Sequence, residues 1–148
     1  MPASHRLRKG RISAPNQIYL VTCNTHHRNP IFADFNAARA LMLSLGATSP
    51  RVFTWCYVIM PDHFHWLMQL GEEVTLSNSV RFVKSQATKK LGSQQPLLKR
   101  VWQEGFHDHQ IRQEEDLKNL ARYILGNPLR AGLVNSVRNY SFWDAAWI

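Results

Sequence analysis

Two apolar runs separated by only two residues constrain this chain more than any other feature. RVFTWCYVIM (51–60) and HFHWLMQL (63–70) are rich in β-branched and aromatic residues, and Pro61-Asp62 stands between them. Such runs read as strands, and a two-residue break of turn-forming residues joins them into an antiparallel hairpin. The second strand carries an anomaly. Residues i and i+2 of a strand share a face and stand roughly 7 Å apart. His63 and His65 therefore project together, with Leu67 and Gln69 further along. Phe64, Trp66, Met68 and Leu70 project to the other side as a continuous core face. Imidazoles in an apolar strand must be hydrogen-bonded, charged or bound to a metal.

The rest of the chain supplies partners for the hairpin. Residues 1–15 read as a flexible basic arm in which Arg6, Arg8, Lys9 and Arg11 crowd together before Pro15. NQIYLVTCNT (16–25) reads as a strand. DFNAARALMLSLGAT (34–48) reads as a helix with Asp34 as N-cap and Gly46 near its end. Residues 75–91 place Leu76, Val80, Val83, Ala87 and Leu91 at helical spacing. VWQEGFHDHQIR (101–112) reads as a last strand bent at Gly105. EEDLKNLARYILG (114–126) reads as a helix with acidic residues in its first turn, and NPLRAGL opens a short helical turn headed by Pro128. An aromatic tail, 139–148, packs on the domain or fills a groove. The order β-α-β-β-α-β-α in 148 residues predicts one α+β domain. Its antiparallel sheet with helices packed on it is of ferredoxin-like type.

Charge narrows the partner. Eighteen Lys and Arg against ten Asp and Glu give a formal +8 and a pI near 10.0, the footprint of a protein that binds a polyanion, most often nucleic acid. No apolar run approaches the roughly 20 residues of a membrane span. The basic N-terminus has no apolar stretch behind it and is not a signal peptide. Two distant cysteines form neither a disulfide framework nor a zinc spacing, so a reducing cytoplasm is expected.

Two side-by-side imidazoles can present nitrogens to one cation, and a metal with open positions can polarise a phosphate oxygen. His107 and His109 have the same spacing around Asp108, and strand logic does not choose between the pairs. On a wheel of residues 114–127, Leu117, Leu120, Ala121 and Ile124 form one stripe. Tyr123 lies about 120° from its centre. Asn127 follows one turn later, although Pro128 disfavours helical geometry there. A phenol with an ordinary pKa near 10 needs an electrophile activated by a cation.

Together these segments resemble the HUH single-strand nuclease superfamily, in its single-tyrosine transposase branch. The REP-associated tyrosine transposases of bacteria are the most similar group. MPDHFHW, VRFVKSQATKKL, WQEGFHDHQIR and YILGNPLRAGLV carry the resemblance. It implies that His63 and His65 are metal ligands, that Asn127 completes the site and that Tyr123 is the nucleophile. His107, Asp108 and His109 match a recurrent segment, with support of the site and contact with DNA both open as roles. The implied enzyme is a metal-dependent endonuclease and strand transferase that cuts and rejoins single-stranded DNA beside a REP-like hairpin through a 5′-phosphotyrosine. The implied ion is Mg²⁺ or Mn²⁺, although imidazole suits zinc or copper better. The resemblance favours a monomer over the helix-exchanged dimers of insertion-sequence cousins, and a cytoplasmic, nucleoid-associated location. Candidate DNA contacts are Arg6, Arg8, Lys9 and Arg11 in the arm, with Arg81, Lys84, Arg112 and Arg130. Two rival readings stand beside this one. The first is a binder of structured nucleic acid that does not cleave. The second is a hydrolase that activates water on His63, His65, His107 and His109.

Overall fold

The predicted hairpin forms the middle of the sheet. In this computed structural model, which describes residues 16–96, 98–112, 114–133 and 142–145, strands β2 (Val52–Met60) and β3 (His63–Leu70) pair antiparallel. Met60 stands opposite His63. Strand β1 (Ile18–Asn24) pairs antiparallel with the other side of β3, setting Thr22 opposite His65 and Asn24 opposite His63. Strand β4 (His107–Ile111) pairs antiparallel with β1. A short β5 (Trp143–Ala145) pairs with β2, completing the order β4-β1-β3-β2-β5. The first four strands have the order of a ferredoxin-like sheet. The fifth covers the outer side of β2 with a piece of the aromatic tail, which leaves fewer unpaired backbone groups on that edge.

One face of the sheet is a dry core. Helix α1 (Phe35–Gly46) starts where the carboxylate of Asp34 accepts a hydrogen bond from the Ala37 N–H at 2.9 Å. Helix α2 (Leu76–Gln94) starts where the Thr75 hydroxyl accepts from the Asn78 N–H at 3.1 Å. Both caps satisfy N–H groups that the first turn leaves without partners. The helices bury Ala37, Leu41 and Leu45, and Val80, Val83 and Ala87, against Val21, Phe64, Trp66 and Met68. Trp66 is fully enclosed and donates its indole N–H to Thr54 Oγ1 at 2.9 Å. Truncating so large a buried ring typically costs about 3–5 kcal/mol.

The opposite face is covered by helix α3 (Glu114–Leu125). Its stripe of Leu117, Ala121 and Ile124 is buried against Cys56, Val58, Met60 and Leu67. A short helical turn, α4 (Asn127–Arg130), follows with Pro128 buried in its first turn. Cys23 and Cys56 are both buried, on opposite faces of the sheet. Among the described residues no helix is long and apolar enough to cross a membrane.

The last predicted strand is shorter than expected. Residues 101–106 join the sheet only through one bridge between Thr25 and Trp102, and Gly105, at φ +78°, breaks the extended backbone between that bridge and β4. Lys84 fastens this segment to α2 by donating to the carbonyls of Gly105 at 2.5 Å and Gln103 at 3.2 Å. The basic arm, with Arg6, Arg8, Lys9 and Arg11, and the remainder of the tail lie outside the described residues.

Candidate active site

The hairpin tip is pinned before any side chain is considered. The Thr25 N–H and hydroxyl both donate to the Asp62 carbonyl, at 2.9 and 3.1 Å, and the Phe32 N–H donates to the Pro61 carbonyl at 2.9 Å. This fixes the start of β3, where the histidines stand. Their ring centroids are 4.9 Å apart and the planes nearly perpendicular. Each ring is held from behind. His63 Nδ1 lies 2.8 Å from Asp62 Oδ1, and His65 Nδ1 lies 2.8 Å from Thr22 Oγ1. The second oxygen of Asp62 accepts from Arg28 Nε at 3.0 Å. Arg28 holds φ +53°, a left-handed conformation that costs an L-residue about 1–2 kcal/mol, and its ion pair lies on that bend.

The electrostatics suit a ligand pair. Burial pushes the Asp62 carboxyl up, but hydrogen bonds from His63 and Arg28 and their charges outweigh it and hold it below its ordinary value. Burial, followed by the charges of His63 and Arg130, pushes His65 down to about 4. His65 is therefore neutral at pH 7, as a ligating imidazole must be. Metal-bound histidines characteristically have the other ring nitrogen fixed by a carboxylate, carbonyl or water. With Nδ1 engaged in both rings, Nε2 is the atom each offers. The pair thus fits a divalent cation. Among the described residues no His, Cys, Asp or Glu joins it to make a third such ligand, which leaves that place to an amide or to the substrate.

The tyrosine helix packs on the histidine-bearing face. Val58 and Met60, directly opposite His65 and His63 in the register, belong to the cluster that buries Leu117, Ala121 and Ile124. Tyr123 stands off that stripe with 63% of its surface exposed, whereas Tyr19 and Tyr57 are buried. Burial pushes the Tyr57 phenol up to about 12, with help from the charge of Asp144. Tyr123 is thus the one accessible phenol among the described residues. The guanidinium of Arg130 lies 4.0 Å from the centre of its ring. The same guanidinium donates to the Tyr123 carbonyl and to Asn127 Oδ1.

The remaining candidates divide between two grooves. His107 and His109 face the same side as His65, since their partners on β1 are Thr22 and Leu20, while Asp108 pairs with Val21 and faces the other side. His109, Arg112 and Tyr123 line a groove of about 810 Å³ between β4 and α3. Arg81, Lys84 and Lys89 line a second, of about 700 Å³, beside Trp102. Lys84 is already committed to backbone carbonyls there. Sequence reasoning missed Thr22, Arg28 and Asp62. Asp62 had a signal, as a carboxylate adjoining a histidine, but reads first as a turn residue. Thr22 is revealed only by strand register.

The hairpin presents two imidazoles, and the helix covering the same face carries an accessible phenol. The family described as "Transposase IS200 like" matches residues 16–127. The chain belongs to that family. It is 33% identical over 88 residues to the REP-associated tyrosine transposase of Escherichia coli K12, covering 58% of this chain and 50% of that one. It is 32% identical over 94 residues to a Haemophilus influenzae protein named for the same group, covering 57% and 53%. The chain thus matches about half the length of these curated relatives. A solved REP-associated tyrosine transposase bound to a REP hairpin superposes with a TM-score of 0.73 at 26% identity, over 90% of this chain and 79% of that one. The five-stranded antiparallel sheet with helices packed on it matches that structure.

Proposed function

We propose that this IS200-like chain is a single-strand DNA endonuclease and strand transferase acting beside REP-like hairpins, and that it works at the nucleoid in the cytoplasm. One observation carries the reading: the helix of Tyr123 covers the same sheet face, in the same chain, as His63 and His65. That arrangement also favours a monomer, because no second copy is needed to bring the phenol to the imidazoles. The hairpin specificity rests on the relative whose structure holds one.

His63 and His65 would hold Mg²⁺ or Mn²⁺ through Nε2, with the side-chain oxygen of Asn127 as a further donor. When bound, the ion supplies Lewis-acid polarisation of the scissile phosphate. Asp62 and Thr22 keep the two rings aimed by holding Nδ1 of each. Tyr123 attacks phosphorus in line through its phenolic oxygen. The new bond is Tyr123 Oη–P and the broken bond is P–O3′. The phenolic proton is lost to solvent and the departing 3′-oxygen takes one up, so the products are a 5′-phosphotyrosine and a free 3′-hydroxyl. A second 3′-hydroxyl reverses the step and rejoins strands without another energy source. Arg112, beside Tyr123, and Arg81 on α2 offer charge to the strand on either side. Arg6, Arg8, Lys9 and Arg11 offer further charge to phosphates.

The deciding experiment incubates a labelled REP-type hairpin carrying a single-stranded flank with the chain and Mn²⁺, then resolves products under denaturing conditions. Tyr123→Phe is expected to abolish the covalent adduct, a loss of at least a thousandfold, while hairpin binding stays within about twofold. An adduct of undiminished yield in Tyr123→Phe would sink the assignment. A band shift with no adduct in the unaltered chain would identify a pure DNA binder. Cleavage without an adduct would identify the water-activating alternative.

A further inference from the structure

Arg130 touches both groups that the proposed chemistry needs, and it does so through one planar cation. Its guanidinium covers the Tyr123 ring and donates to Asn127 Oδ1 and to the Tyr123 carbonyl. The glycine of the same segment makes this fold-back possible. A Cβ on Gly126 would lie 2.7 Å from Arg130 Nη1 and in ordinary contact with the Arg122 and Tyr123 carbonyls. Gly126 itself has φ −80° and ψ −5°, a helical conformation that alanine adopts readily. Its missing side chain therefore serves space for Arg130 and not backbone freedom.

Asn127 has one side-chain atom able to ligate a cation, the carbonyl oxygen, because its amide nitrogen only donates. That oxygen is engaged by Arg130. A guanidinium prefers a phosphate to neutral carbonyls, since its paired bonds to an anion join two opposite charges where those to Asn127 and Tyr123 involve only one. The α4 turn that carries Arg130 packs beside β2, the strand adjoining the histidines. We propose that Arg130 is a phosphate-operated clip. Without DNA it holds the Asn127 oxygen and covers the face of the Tyr123 ring. A backbone phosphate of the bound strand draws it off and releases both groups. The inference rests on Tyr123 and Asn127 having the roles assigned above.

The clip couples two binding events. Metal affinity is low in the DNA-free chain because Asn127 is withheld, and it rises when the strand occupies Arg130. By linkage, metal raises affinity for the strand by the same factor. Arg130 is in this sense a positioning residue. Its simplest rival role is to cap a carbonyl at the end of α3.

The test is Mn²⁺ binding by the whole chain without DNA, read from the spectroscopic signal of free Mn²⁺. Arg130→Met removes the guanidinium and keeps an apolar stem. Gly126→Ala keeps the charge but crowds the guanidinium off its seat. Both are expected to bind Mn²⁺ on the order of tenfold more tightly than the unaltered chain, the low end of what a hydrogen bond to a charged group holds. Adding Asn127→Ala to either should erase the gain. A gain that survives Asn127→Ala is only relief of charge repulsion and overturns the clip. Unchanged Mn²⁺ affinity in both variants, with a lowered Tm in Arg130→Met, leaves Arg130 as a helix cap and also overturns it. His63→Ala separates the two levels. If it weakens Mn²⁺ binding in every background while the clip variants show no gain, the clip fails and the proposed function stands. If Mn²⁺ binding ignores His63→Ala, both fail.

Discussion

The molecule contains the same three-residue spacing twice, and the two copies have different surroundings. His63 and His65 begin the central strand of the sheet, and each Nδ1 is tied, one to Asp62 and one to Thr22. His107 and His109 begin the edge strand two places away. Both pairs look out from the same face, yet His109 is exposed beside a groove, while the central pair is backed by a carboxylate, a hydroxyl and a pinned turn. Spacing sets two imidazoles side by side. What stands behind them decides whether they stay aimed well enough to hold a cation.

The sharpest way to break this comparison is to delete each pair. His63→Ala combined with His65→Ala is expected to abolish Mn²⁺ binding and covalent adduct together, at least a thousandfold loss, since both proposed imidazole ligands go. His107→Ala with His109→Ala should leave Mn²⁺ affinity within about threefold when titrated under the same conditions. Equal losses from the two double variants would favour a four-histidine site that activates water.

A smaller effect is expected from the support alone. Asp62→Ala keeps both central histidines but frees the His63 ring and strands Arg28. Its Mn²⁺ affinity should fall about 10- to 100-fold, the usual consequence of removing a partner behind a ligand, read by the same titration. An affinity within twofold of the unaltered chain would mean that the pair is set by the strand and not by its backing.

The last effect, spread over more than two pH units, is a slope in stability. Folding holds His65 down at about 4, against roughly 6.5 in an unfolded chain. Between those values the unfolded state binds the extra proton, so stability rises with pH across that window. The contribution is fully present above about 6.5 and is lost as pH falls through 4. It amounts to about 3 kcal/mol, measurable by denaturant unfolding in the presence of a chelator. His65→Gln should flatten the slope between pH 4 and 6.5, and His109→Gln should leave it as it is.

Much of this was legible because it is local. Alternation in residues 51–70 and the two-residue break set the hairpin, since a strand's side chains alternate whatever covers them. The apolar stripe of 114–125 set which side of α3 is buried, and so left Tyr123 outside it. Asp34 marked one helix start by its own short-range bond, and apolar spacing marked the helix from Leu76. The stretch 101–106 reads as strand but keeps only a bridge, and the bend expected at Gly105 is a full break through a positive φ that residue type permits but does not require.

Thr22 and Arg28 lie 43 and 34 residues from the side chains they hold, and nothing in their neighbourhoods marks them. Strand register and the fold of the 25–32 segment bring them in. The same holds for α3, whose stripe demanded an apolar partner without saying which sheet face would provide it. The chain by itself determined which residues could do chemistry, because spacing and residue type are local properties of a strand or helix. Tertiary structure alone decided which of them meet, because long-range pairing is fixed by the shared burial of distant apolar faces.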